Sequence, residues 1–316
     1  MYTRFYIVCI TTALLLVGCS STNADPTVPL AVPEMTAIEP QQTAISSETT
    51  LISALADHTF LFQTNDEQYE LYTYNMLTGE QKTVHTQQMP IRDVKVHPSG
   101  ETFLVVSAPS ATLANITLYS LTFEAMYEVE IPSYEVLTTF DTVHPQQFAV
   151  TAFNDQFDAT VYQFTAGTLQ QVAVPYPFVS MRDNVLYTVT EGKLQQTKDG
   201  LTEVLANDVT YAKITTTGVY YVTQQTPNTL ITSEGAITLL QPIVSLEEQH
   251  GDMYVWTQQQ QHYELTTLND MMPLLTVAKP VPFYHHAEQH ILVYGDFYEW
   301  VITGNDMPLQ WLTINQ

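Results

Sequence analysis

The chain has 316 residues, of which 45% are hydrophobic and 13% charged, with Lys+Arg 9 against Asp+Glu 33 and a formal net charge of −24. A surface this negative repels phosphate backbones and anionic headgroups, which argues against nucleic acid as a partner. With only Cys9 and Cys19, the chain has no disulfide framework to replace a hydrophobic core.

The chain starts with the short basic segment Met1-Tyr2-Thr3-Arg4, followed by the apolar run from Phe5 to Val17. A membrane-spanning helix needs about 20 apolar residues, so this run is too short to span and has the order of a secretory signal peptide. Its last residues and the cysteine after them, Leu16-Val17-Gly18-Cys19, resemble a bacterial lipobox. The resemblance implies cleavage after Gly18 and lipidation of Cys19, which becomes the first residue of the mature protein. It also implies a protein held on a bacterial cell membrane and facing outside the cytoplasm. Residues 1–18 are then the signal peptide. Their loss removes Cys9 and Arg4, which takes the charge from −24 to −25 and leaves Cys19 as the one remaining thiol.

Residues 19–49 read as a lipidated, disordered tether. They hold four prolines, many Ser and Thr, no glycine and no hydrophobic period. Thirty such residues in an extended proline-rich form would reach up to roughly 90 Å.

From residue 50 onward, short alternating runs recur. The most apolar of them start at Thr59, Thr102, Gln147, Val185, Gly218, Asp252 and His290, which are 43, 45, 38, 33, 34 and 38 residues apart. A period near 40 built only from strand-like segments is the signature of a propeller blade. An entering run precedes each, such as Ile91–Val96 or Val209–Ile214, and a third strand and a turn follow, as in Leu77-Thr78-Gly79-Glu80. The expectation is an all-β fold: a β-propeller over 50–316 with seven four-stranded blades. Ring closure would rest on packing between the first and last blades unless the end of the tether adds a strand.

The stretch Val94-Lys-Val-His-Pro-Ser-Gly-Glu-Thr-Phe-Leu-Val-Val-Ser resembles the blade turn of TolB-type and WD-repeat-like propellers, with Ser99 where those families usually have Asp. The resemblance implies a fold and a habit of binding partners. It implies no catalytic residue.

Motifs for chemistry are missing from the sequence. There is no Gly-x-Ser-x-Gly elbow, no His-Glu-x-x-His, no phosphate-cradling glycine loop and no Asp-x-Asp-x-Asp-Gly calcium loop. No cofactor is expected. His285, His286 and His290 are weak metal candidates, while His97, His144, His250 and His286 fall at turns between first and second strands, where an imidazole can bond turn backbone. Arg92, Lys95, Arg182 and Lys213 fall in or at the end of innermost strands. They would line the channel as an anion or partner site, or be neutralised by acids such as Asp93, Asp141 or Asp183. The function expected is that of a monomeric, membrane-anchored, non-enzymatic lipoprotein that binds a protein, peptide or glycan partner. The alternative is a carbohydrate- or peptidoglycan-active enzyme with carboxylates at the channel mouth.

Overall fold

The computed structural model describes residues 36–38, 49–56, 59–64, 69–75, 78–249, 252–260, 262–269, 271, 273–277, 284–287, 290–293 and 310–313. The described residues are all-β. Six four-stranded antiparallel sheets are each built from four successive strands: blade I (49–86), II (91–132), III (135–172), IV (179–206), V (209–238) and VI (243–277). The first strands of consecutive blades I to V lie beside one another, which makes them the innermost strands, and blade VI packs against blade V.

The second strand of each blade carries the core because both of its faces are covered. In Thr102–Ser110, Phe103 and Val105 pack toward blade I, while Leu104 and Val106 pack toward blade III. The alternation repeats one blade on. Phe148, Val150 and Ala152 face blade II, and Ala149 faces blade IV with Met181 and Leu186. A run that is apolar at every position is therefore what a strand between two neighbouring blades requires. Stacked cross-strand rings reinforce the second and third strands: Phe62 with Tyr72 at 5.3 Å, Phe103 with Tyr119 at 5.2 Å and Phe148 with Phe164 at 4.6 Å between centroids. Trp256, on the second strand of blade VI, is buried.

The remaining sheet differs from the expected seventh unit. Its order is Thr36–Ile38, Gln310–Thr313, His290–Val293, Tyr284–Ala287, so it draws on both ends of the chain. Among the described residues, blades of four consecutive strands therefore number six, not seven. Gln310–Thr313 pairs with His290–Val293 on one edge and with Thr36–Ile38 on the other. The span expected as tether thus contributes a strand. This is the closure left open by the sequence, and it ties the two ends into one sheet. The residues between Cys19 and that strand number sixteen (Ser20 to Met35) and reach at most about 55 Å when fully extended. Among the described residues, no helix is long and apolar enough to cross a membrane. Gly18 and Cys19 lie outside the described residues.

Candidate functional site

The two ends of the ring are built differently. One end carries the turns between first and second strands, and these turns bond to one another from blade to blade. Asp141, at the end of the first strand of blade III, is fully buried at 0% exposure. Its Oδ1 accepts hydrogen bonds from the backbone N–H of Val143 (2.9 Å), His144 (3.1 Å) and Asp183 (3.0 Å), and its Oδ2 accepts one from Asn184 N–H (2.7 Å). Asp183 and Asn184 form a two-residue turn of blade IV with φ of 49° and 63°. Asp and Asn tolerate this left-handed geometry, and it points both amides at the Asp141 carboxylate.

His97 approaches Asp141 from blade II. Its Nε2–H donates to the Asp141 carbonyl at 2.8 Å, and its Nδ1 accepts from Ser99 N–H at 3.0 Å. The turn closes with Gly100 N–H donating to the His97 carbonyl at 2.8 Å, and Gly100 has φ 74°, which favours glycine. His97 is 2% exposed and packs edge-on against Phe140. Burial lowers its pKa below the ordinary histidine value. The hydrogen bond to the Asp141 carbonyl and the charges of Glu101, Asp141 and Glu248 oppose that shift.

The belt continues into blades V and VI. Thr142 N–H donates to the Met181 carbonyl at 3.0 Å, and Thr142 Oγ1 donates to the Thr215 carbonyl at 2.9 Å. Arg182 donates through Nε to the Thr215 carbonyl (3.1 Å) and through Nη2 to the Thr216 carbonyl (3.3 Å). Thr216 N–H donates to Glu248 Oε2 at 2.7 Å, and its hydroxyl bonds Glu248 Oε1. Tyr211 OH donates to the Leu246 carbonyl at 3.3 Å and accepts from Leu246 N–H at 3.0 Å, and burial raises the pKa of this phenol.

The four cations expected along the channel have ordinary surroundings. Lys95 lies 3.8 Å from Asp93 on its own strand, and Lys213 lies 3.1 Å from Glu247 of blade VI. Arg182 serves the blade V turn, and Arg92 is exposed. Internal neutralisation therefore accounts for Lys95 and Lys213, the second with an acid the sequence did not single out. Asp141 bonds amides and Asp183 pairs with His144 at 3.2 Å, so neither pairs with an innermost cation as expected. The side chains of His285, His286 and His290 lie outside the described residues. In the backbone register, His285 pairs with Leu292, His286 with Ile291 and His290 with Ala287. His286 therefore sits in a strand, not in the turn expected for it, and His250 lies outside the described residues. Among the described residues, no group of three or more His, Cys, Asp or Glu is placed to hold a metal ion.

The opposite end carries the loops that enter each blade and the turns between second and third strands. In the loops that begin, turn within and follow blade III it exposes large rings: Tyr134 at 58%, Phe157 at 75% and Phe178 at 54%, with Tyr176 partly exposed. Tyr176 and Phe178 lie 5.2 Å apart, and Phe178 lies 6.3 Å from Phe153. Tyr134 N–H donates to the Phe153 carbonyl at 2.9 Å, which places it at the same strand end. Thr151 Oγ1 donates to the Pro177 carbonyl at 2.6 Å and fastens the Tyr176–Phe178 loop to blade III. Phe157 sits in a turn shaped by Asn154, whose Oδ1 accepts from Gln156 N–H (2.9 Å) and Asp158 N–H (2.8 Å). Soluble monomers rarely group exposed rings without a use for them. Reading the sequence for strands overlooked this cluster. Its signals were a phenylalanine inside the polar turn Asn154-Asp155-Gln156-Phe157-Asp158, and rings alternating with prolines in Pro175-Tyr176-Pro177-Phe178.

Residues 75–294 match the family described as the YqgU-like 6-bladed beta propeller domain. The chain belongs to that family. The six-bladed description departs from the seven blades expected from the repeat. A curated relative is the "Uncharacterized lipoprotein YqgU" of Bacillus subtilis (strain 168), 28% identical over 148 residues that cover 45% of this chain and 41% of that protein. The chain thus matches well under two thirds of that relative's length. Among solved structures, protein lmo1340 of Listeria monocytogenes EGD-e superposes with a TM-score of 0.69 at 13% identity, covering 86% of this chain and 98% of that one. The propeller domain of the trilobed protease from Pyrococcus furiosus gives a TM-score of 0.51 at 10% identity, covering 82% and 90%. At these identities the structural likeness shows the fold alone.

Two outcomes follow from the belt. Because the folded pKa of His97 is below its unfolded value of about 6.5, its neutral form is the one the fold holds, and stability is lost as pH falls below that value. Urea midpoints between pH 7.5 and 5.5 should fall more for the native protein than for His97→Gln, by at most about 1.4 kcal/mol per pH unit. Parallel pH profiles would contradict this. Separately, Arg182→Gln should destabilise the fold by about 1–2 kcal/mol through its lost bonds to the blade V turn, whereas Arg92→Gln should stay within about 0.5 kcal/mol. Equal effects in urea unfolding would remove the distinction between them.

Proposed function

We propose that the chain is a lipid-anchored extracytoplasmic binding protein. Cys19 carries the acyl chains, and the propeller presents its aromatic end to a protein, peptide or glycan partner without covalent chemistry. The observation that carries this reading is the set of exposed rings Tyr134, Phe157, Tyr176 and Phe178 in loops at one end of the ring. Aromatic side chains supply large contact area at low conformational cost and dominate binding hot spots. The lipobox-like Leu16-Val17-Gly18-Cys19 and the lipoprotein relative support the anchor. Family membership supports the propeller that would present that end. In the enzyme reading, carboxylates near the channel mouth would act on a glycan. The nearest candidates already serve the belt: Asp141 holds four amides, Glu247 pairs with Lys213 and Glu248 bonds Thr216.

Two experiments test the two halves of the reading. Cys19→Ala should release the protein from the membrane fraction while leaving its unfolding midpoint unchanged. Continued membrane fractionation would remove the anchor. A photocrosslinking residue at Phe157 should capture a discrete partner in the protein's own cells, and one at Leu201, on the exposed outer strand of blade IV, should not. Identical capture at both positions would remove the aromatic end as the binding face.

A further inference from the structure

The aromatic end lies in a part of the chain with a peculiar charge distribution. Between Lys95 and Arg182 there is no lysine or arginine, while eight acids occur: Glu101, Glu124, Glu128, Glu130, Glu135, Asp141, Asp155 and Asp158. All of blade III lies in that interval. Three of these acids flank the exposed rings in the same loops. Glu135 follows Tyr134, and Asp155 and Asp158 bracket Phe157. All three are exposed. Asp158 receives the Asn154 side-chain amide at 3.3 Å. Rings with carboxylates beside them, in loops that themselves carry no lysine or arginine, present two attractions to the same kind of group. The ring faces attract a cation through their quadrupole, and the carboxylates attract it through charge. A neutral sugar would also stack on the rings and could donate its hydroxyls to the carboxylates, but only a cation gains from their net charge.

We infer that the partner of this end is a lysine- or arginine-rich polypeptide segment, bound across the Tyr134, Phe157, Tyr176 and Phe178 rings and steered by Glu135, Asp155 and Asp158. This rests on the binding reading above and names the chemistry of its partner. The alkyl stems of Lys and Arg lie along the rings while their heads reach the carboxylates. The remaining acids of the chain raise the encounter rate with any cation, and the loop acids with their rings fix where it settles.

The test uses the full chain carrying Cys19→Ala and titrates it with decalysine at about 0.15 M salt, where screening beyond about 8 Å suppresses the diffuse field. Three double variants are compared, each with its unfolding midpoint checked against the parent. Phe157→Asn with Phe178→Ser removes two rings, and Asn suits the left-handed φ of 64° at position 157. Glu135→Gln with Asp155→Asn removes two charges at the patch. Asp199→Asn with Glu234→Gln removes two charges in turns at the opposite end. The first two should weaken decalysine at least about tenfold, and the third by less than about twofold. The inference is overturned if the third variant loses as much as the second, if the ring variant binds unchanged, or if decalysine does not bind the parent. Binding of a neutral chito-oligosaccharide at the rings, with decalysine unbound, would also overturn it while leaving the aromatic end as a binding face. Failure of the binding reading itself is seen separately, in the crosslinking at Phe157.

Discussion

One buried carboxylate organises the central part of the ring. Asp141 sits where blades II, III and IV meet. Its side chain takes four backbone amides from two blades, and its carbonyl takes the imidazole of a third. Leaving any of those buried groups without a partner costs the desolvation penalty of that group, on the order of 1–3 kcal/mol each. The three turns are therefore tied to one arrangement. The interblade cores, such as Leu104 and Ile116 against Phe148 and Val150, then pack with the blades at a fixed angle. Burial supplies most of the stability, and the belt fixes the register between neighbouring blades.

That division explains why the two ends of the ring suit different tasks. The turn end spends its polar groups on itself: His97, Asp141, Arg182, Thr215, Thr216 and Glu248 bond within the protein. The other end fixes its loops through backbone-directed bonds such as those from Asn154 and Thr151, and leaves large rings outside. A rigid platform with outward aromatic side chains loses little entropy on binding. The strand Thr36–Ile38 ties the N-terminal part of the chain into the terminal sheet, so in the proposed anchoring at Cys19 sixteen residues would separate the anchor from the ring.

The repeat was legible because a central blade strand needs apolar residues at every position. Predicted starts at Thr59, Thr102, Val185, Asp252 and His290 coincide with observed strands, and those at Gln147 and Gly218 differ by one residue. The composition of the terminal sheet was not legible. A three-residue strand in a proline-rich, polar span carries no periodic signal, and its partner lies at the other end of the sequence. The histidine at the first turn was visible as a turn residue, but its contact with Asp141 spans 44 positions that only the ring brings together. The cations of the innermost strands read either as a lining or as neutralised by Asp93, Asp141 or Asp183; the structure pairs Lys95 with Asp93, but gives Lys213 an acid of the next blade and Arg182 the carbonyls of the next turn. Exposed aromatics are the hardest to read, since a tyrosine or phenylalanine in an alternating pattern usually marks a core.

The central claim is that Asp141 holds three blades in register, and the most direct test is the urea unfolding of Asp141→Asn. The amide turns one acceptor into a donor facing a backbone N–H, so the variant should lose about 2–4 kcal/mol. Asp155→Asn, which makes the same charge change at an exposed turn, should stay within about 0.5 kcal/mol of the native protein. An Asp141→Asn midpoint indistinguishable from that of Asp155→Asn would contradict the account.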